Sequence, residues 1–170
     1  MITTLHLQLQ PLTYRQIILY LAKSVELTRQ LQCEPCTWTV APELIQSMDD
    51  VIFPFITMPG ERASFEGFWV IMQQPNGPII GDFTLIPDEY NDDEYEIGYR
   101  IEEPFRNRGF MQEAMHGLID WAKGQGLIRT LKARTNIDNL PSQQVLHHCG
   151  FAKGMESEDS SEFLYLRNLF

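Results

Sequence analysis

Two neighbouring stretches decide how this chain folds: Glu94-Tyr95-Glu96-Ile97-Gly98-Tyr99-Arg100-Ile101 and, after a short break, Phe110-Met111-Gln112-Glu113-Ala114-Met115. In the first, Tyr95, Ile97, Tyr99 and Ile101 alternate with Glu94, Glu96 and Arg100, the period of a strand with one buried face. In the second, Met111, Ala114, Met115, Leu118 and Ala122 recur at three- and four-residue steps, the period of a helix. Gly124 and Gly126 end that helix. Pro104 and Gly109 interrupt both patterns between them. A strand therefore leads through a short loop into a helix N-terminus.

The same reading extends outward. Residues 68–72 are a short apolar run, Pro75-Asn76-Gly77-Pro78 is a turn, and residues 79–86 supply a hairpin partner. Residues 87–93 form an acidic loop. Downstream, residues 130–135 read as a strand. Asn139 caps a short helix that reaches His148 and closes at Gly150, with Phe151 beyond. Residues 163–166 supply a last strand. Near the start, residues 5–10 alternate as a strand does. Thr13 then caps a helix over 14–31 whose stripe is Ile17, Leu21, Val25 and Leu31. Prolines 35, 42, 54 and 59 break up residues 33–64, where only 43–48 reads as helix. The layout predicts a single mixed α/β domain over residues 1–170, with a twisted, largely antiparallel central sheet and helices on both faces.

Composition narrows the function. The chain has 170 residues, 23 acidic and 13 basic, for a formal net charge of -10. Such an acidic balance disfavours a broad phosphate-binding surface, and with it a nucleic-acid module, but leaves cationic partners open. No apolar run is long enough to span a bilayer, and the start lacks a secretory pattern. Three cysteines do not suggest a disulfide framework. A reduced, cytoplasmic protein, monomeric or homodimeric and without a membrane partner, is the expectation.

The loop between the two opening stretches carries the chemistry. Arg106-Asn107-Arg108-Gly109-Phe110-Met111 combines a glycine that permits close backbone approach, free amides at a helix start, a helix dipole and two forked cations. A pyrophosphate suits such a place. A solvated turn whose arginines cap nearby carbonyls is the plainer alternative.

Glu96-Ile97-Gly98-Tyr99-Arg100-Ile101, then Arg106-x-x-Gly109-x-Met111 and Glu113-Ala114, resembles the central motif of the GNAT N-acetyltransferases. Asn136-x-x-Asn139-x-x-Ser142-x-x-Val145-Leu146-x-x-x-Gly150-Phe151 is similar to the partner motif of the RimJ/RimL-like branch, the ribosomal-protein acetyltransferases. The resemblance implies acetyl-CoA as the acetyl donor and no metal. It implies that Arg106, Asn107, Arg108, Gly109, Phe110 and Met111 hold the pyrophosphate, chiefly by main-chain amides. Tyr99 and Ile101 would run beside the pantetheine arm like an added strand, with Asn139 and Ser142 near the thioester. Residues 67–170 would form the sheet and cofactor core, and residues 1–66 the acceptor side. Met111 stands where the family prefers Gly or Ala.

Acetyl transfer needs a deprotonated amine and a donor for the departing thiolate. Glu96 is the candidate base, with Glu94 as its alternative. Ser142 is the candidate acid, Tyr165 a weaker one, and a strand amide near Tyr99 or Ile101 the oxyanion donor. The acceptor is expected to be a cationic primary amine, on a peptide N-terminus or a small molecule, and the acids at 88–96 mark its side. A non-catalytic acyl-CoA-binding domain of the same fold is the alternative. Cys33 and Cys36 read as loop cysteines rather than a redox or zinc motif, and Cys149 as a packing residue. The aromatics Trp38, Phe53, Phe55, Phe65 and Trp69 either line an acceptor pocket or fill the core.

Overall fold

The computed structural model describes residues 1–47, 67–126, 128–154 and 161–170. Strands β1 (Ile2–Thr3) and β2 (Leu7–Pro11) precede helices α1 (Tyr14–Leu21), α2 (Val25–Gln30) and α3 (Pro42–Ser47). Then come β3 (Gly67–Gln73), β4 (Ile79–Pro87), β5 (Glu94–Ile101), α4 (Phe110–Gln125), β6 (Thr130–Asn136), α5 (Leu140–His148), β7 (Ala152–Lys153) and β8 (Glu162–Asn168). The strands form one sheet in the order β1-β2-β3-β4-β5-β6-β8-β7. Every pair is antiparallel except β5 and β6, which lie parallel because α4 carries the chain back across the sheet between them.

Two apolar layers cover the sheet. Trp69 and Ile71 of β3 join Leu7, Leu9 and Phe83 under Leu118 of α4, while Phe68, Val70 and Met72 join Ile17 and Tyr20 of α1 and Leu27 of α2. A strand buried on both faces reads as an unbroken apolar run, which is why β3 lacks alternation. Trp69 stacks on Phe83 with centroids 5.2 Å apart and meets Trp121 edge-on at 5.6 Å. Such pairs add about 0.5–1.5 kcal/mol beyond area burial. Trp38 and Trp69 are therefore core residues. Phe53, Phe55 and Phe65 lie outside the described residues, as does Met48 at the end of the expected 43–48 helix.

The single helix expected over 14–31 is two. Ala22 caps α1, Lys23 takes a left-handed φ of 51°, and Ser24 caps α2 by accepting from Glu26 N. No glycine or proline marks the break, so the apolar period reads through it. The start is as expected. Thr13 Oγ1 accepts from Gln16 N, and Gln16 Oε1 accepts from Thr13 N at 3.0 Å, a capping box. Gly124 lies in the last turn of α4, and Gly126 caps it at φ 66°.

Gly117 lets α4 close on the N-terminal hairpin, since a Cβ there would stand 2.6 Å from Thr4 Cγ2. One turn earlier Glu113 staples the contact. Its carboxylate accepts from Thr4 Oγ1 at 2.5 Å and His6 N at 2.7 Å, and lies 2.9 Å from His6 Nδ1. Burial alone would raise its pKa, but these hydrogen bonds outweigh burial and hold it below its ordinary value of 4.5. A carboxylate with a depressed folded pKa stabilises the fold above its unfolded pKa and stops doing so as pH falls through the folded one. Glu113→Gln is accordingly expected to cost about 1–2 kcal/mol at neutral pH. In thermal melts taken across pH, the gap from wild type should close below 4.5. A gap that persists unchanged into acid would remove the staple.

Candidate active site

β5 and β6 pair for only three residues, Glu94↔Thr130, Tyr95↔Leu131 and Glu96↔Lys132, and then part. β5 runs on to Ile101 along β4. Glu102 N donates to Ile80 O at 2.8 Å and Gly98 N to Thr84 Oγ1 at 3.2 Å, so the even-numbered residues here turn their main chain toward β4. Alternation therefore turns the main-chain groups of Tyr99 and Ile101 toward the side that β6 has left. Ile101 O is taken by Arg106 Nε at 2.9 Å, which anchors the arginine loop to the strand end.

A cavity of about 560 Å3 lies beside this edge, and all ten residues expected to hold the donor border it: Tyr99, Ile101, Arg106, Asn107, Arg108, Gly109, Phe110, Met111, Asn139 and Ser142. The N-termini of α4 and α5 both open on it. Gly109 is the N-cap of α4 at φ 78°, a conformation that favours glycine, and a Cβ there would meet no other atom within 4 Å. Asn139 caps α5 by accepting from Ser142 N at 3.3 Å. The Arg108 guanidinium lies 4.8 Å from the Phe110 ring centroid and 5.9 Å from that of Phe105. Met111 borders the cavity but is buried in the main core cluster. A larger, more open hollow of about 690 Å3 lies between the β1–β2 turn and α4. It has neither the strand edge nor the second helix N-terminus.

Tyr99 reaches from β5 to α5. Its hydroxyl is 2.8 Å from Ser142 Oγ and 3.2 Å from Ser142 O. Burial pushes its pKa up to about 12, against the pull of the Ser142 hydrogen bond, with Cys149 and Tyr165 adding to the rise. This phenol keeps its proton at physiological pH. The sequence assigned Tyr99 only a main-chain part, because its pairing with Ser142 joins residues 43 positions apart.

Glu96 is the last β5 residue paired with β6, and it does not border the cavity. It points to the opposite face from Tyr95 and Ile97 and is ion-paired with Arg134. Glu94 pairs with Lys132, which also binds Asp88 at 2.8 Å, and Asp93 meets Arg129 at 3.2 Å. Asp88 and Asp93 of the acidic loop, with Glu94 and Glu96 of β5, are thus answered by cations of β6 and the residue before it. The Lys132 hydrogen bond is the chief cause that holds Asp88 below the usual carboxylate range. Tyr165 is buried on β8 opposite Ala133. Cys33 and Cys36 are free thiols, and burial pushes Cys33 up to about 11. Cys149 is buried in the core.

Sequence reasoning missed a network on the opposite face. Arg100 Nη2 donates to Asp82 Oδ2 at 2.5 Å, Thr39 O at 2.6 Å and Tyr20 Oη at 3.1 Å. Its Nη1 donates to Glu102 Oε1 at 2.9 Å and to Thr39 Oγ1. Burial pushes Asp82 above its ordinary pKa, with the Arg100 charge pulling it only part of the way back. No periodicity marks these residues, which lie up to 80 positions apart.

A family model described as an acetyltransferase (GNAT) domain matches residues 7–152. The chain belongs to that GNAT family, whose members are acyltransferases. It is 30% identical over 98 residues to the uncharacterized N-acetyltransferase YjdG of Bacillus subtilis (strain 168). That match spans 58% of this GNAT chain and 58% of YjdG, less than two thirds of the relative's length. The ribosomal-protein-S5-alanine acetyltransferase from Vibrio fischeri is similar in structure with a TM-score of 0.64 at 19% identity, covering 96% of this chain and 93% of that one. RimL, a ribosomal L7/L12 alpha-N-protein acetyltransferase solved in complex with coenzyme A, gives 0.65 at 17% identity, covering 97% and 95%. At these identities the likeness is one of fold.

Among the described residues no cluster of His, Cys, Asp and Glu could hold a metal, and no helix is long and apolar enough to cross a membrane. The cap of α5 offers a local check on the GNAT site. Asn139→Ala should cost about 1 kcal/mol and lower Tm by about 2–4 °C. An unchanged Tm would show that Ser142 N is satisfied without it.

Proposed function

We propose that this protein is an acetyl-CoA-dependent N-acetyltransferase acting on a primary amine, on a protein N-terminus or a small cationic molecule. The observation that carries the reading is the meeting, at one cavity, of an unpaired strand edge, an arginine- and glycine-bearing loop and two helix N-termini. An elongated donor with an amide-bearing arm and a pyrophosphate suits that arrangement. The amides from Arg108 to Met111 hold the pyrophosphate, with Arg106 and Arg108 adding charge. The main chain of Tyr99 and the Ile101 amide would pair with the arm. Acetyl-CoA, when bound there, supplies an activated acetyl thioester.

The remaining work is proton handling. A lysine-like amine has a pKa of about 10.4 and must lose a proton before it attacks. Glu96 stands where β5 and β6 part, on the face away from the cavity, and accepts that proton directly or through water; Arg134 orients its carboxylate. An amide at Tyr99 or Ile101 steadies the oxyanion. Ser142, held by the Tyr99 hydroxyl 2.8 Å away, would give a proton to the departing sulfur and recover one from solvent. Three free cysteines agree with a reducing, cytoplasmic setting.

Acetyl-CoA should raise Tm, by an amount equivalent to about 2.7 kcal/mol at a hundredfold excess over Kd. Gly109→Glu, which puts a carboxylate beside the phosphates, should abolish that shift. No shift in wild type would overturn the donor assignment. With binding in hand, thiol release over a panel of amines and peptides reads turnover. Binding without turnover on any amine would favour the non-catalytic alternative, and turnover unchanged in Glu96→Gln at every pH would remove Glu96 as base.

A further inference from the structure

Beyond Glu96, β5 has among the described residues a strand neighbour on one side only. A strand segment hydrogen-bonded on one edge frays more easily than one held on both. This segment carries the main-chain groups of Tyr99 and Ile101, so its position matters to whatever pairs with it. What steadies it sits on the opposite face. The Arg100 guanidinium is bonded to α1 through Tyr20, to the segment between α2 and α3 through Thr39 O and Oγ1, to β4 through Asp82, and to Glu102 immediately beyond the strand. Tyr20, Asp82 and Glu102 are buried. Thr39 N and Oγ1 also donate to Glu102, at 2.9 and 3.0 Å, and Tyr20 Oη donates to Asp82 at 2.8 Å. Glu102 leads into the short turn Glu103–Phe105, from which the arginine loop departs. Two carboxylates, a phenol and a threonine converging on one guanidinium are costly to bury and give little net stability, whereas they fix geometry tightly.

We propose that Arg100, a residue that also borders the cavity, is a positioning residue whose guanidinium holds the unpaired edge of β5, and the start of the arginine loop, from the face of the sheet that α1 covers. Tyr20 of α1 and Thr39 of the segment after α2 thereby help to set the position of that edge. The clamp itself stands on the hydrogen bonds above; what the edge receives rests on the acetyl-CoA reading.

Tyr20→Phe tests this because it removes one hydroxyl on α1, at a residue that does not itself border the cavity. Arg100→Met removes the hub. Gln16→Ala, which breaks the α1 capping box and touches no member of the network, is the control for plain loss of stability. Two readouts are needed: deuterium exchange across residues 98–102 in ligand-free protein, and acetyl-CoA affinity by calorimetry. Tyr20→Phe should speed exchange in that segment beyond the control and weaken acetyl-CoA about 2- to 30-fold, and Arg100→Met should do at least as much. Exchange and affinity that match the control in Tyr20→Phe would overturn the proposal even if Arg100→Met fails to fold. Faster exchange with unchanged affinity would overturn it too. If wild type binds no acetyl-CoA, the donor assignment falls, and the exchange measurement alone decides whether the clamp exists.

Discussion

The site depends on one event, the departure of β6 from β5 after three paired residues. Main-chain donors and acceptors are obligatory hydrogen-bonding groups, and a half-buried strand edge must satisfy them with water, protein or ligand. Here β4 serves one side of the strand, and Arg106 takes Ile101 O on the other. The rest of that edge faces a cavity. Because α4 and α5 start at the same place, the cavity also receives the positive ends of two helices. The parallel crossover that builds the sheet therefore builds the cavity as well.

Charge is arranged around that edge with little left to chance. The overall balance is -10, yet the loop entering α4 holds Arg106 and Arg108. Asp88 and Asp93 of the loop before β5, and Glu94 and Glu96 of β5 itself, are paired with Arg129, Lys132 and Arg134 from β6 and its approach, so they fasten β5 to β6 over the short length where the two still run together. This revises the expectation that the acids mark the acceptor side simply by their number. Glu96 keeps a special place because it stands at the fork.

Much of this was legible in the sequence, and the reason is periodicity. β5 alternates and α4 repeats every three to four residues, so the change of period at Pro104 to Gly109 located the loop. Two motifs in order then identified the family. What escaped has physical reasons. β1 and β7 have two residues each, too few to show a period. The break at Lys23 is a left-handed residue with no glycine to announce it. Tyr99 with Ser142, and Arg100 with Tyr20 and Asp82, are contacts between distant parts of the chain, made by side chains that any exposed strand or helix might carry.

We propose that the β5 edge and the loop before α4 receive one ligand together. Titrating coenzyme A into isotope-labelled protein and following the main-chain amides by NMR tests it most directly. The amides of Tyr99, Ile101, Arg108 and Gly109 should move along one saturation curve with a common Kd. Shifts confined to the hollow around His6 and Glu113, with Tyr99 and Ile101 unmoved, would contradict it.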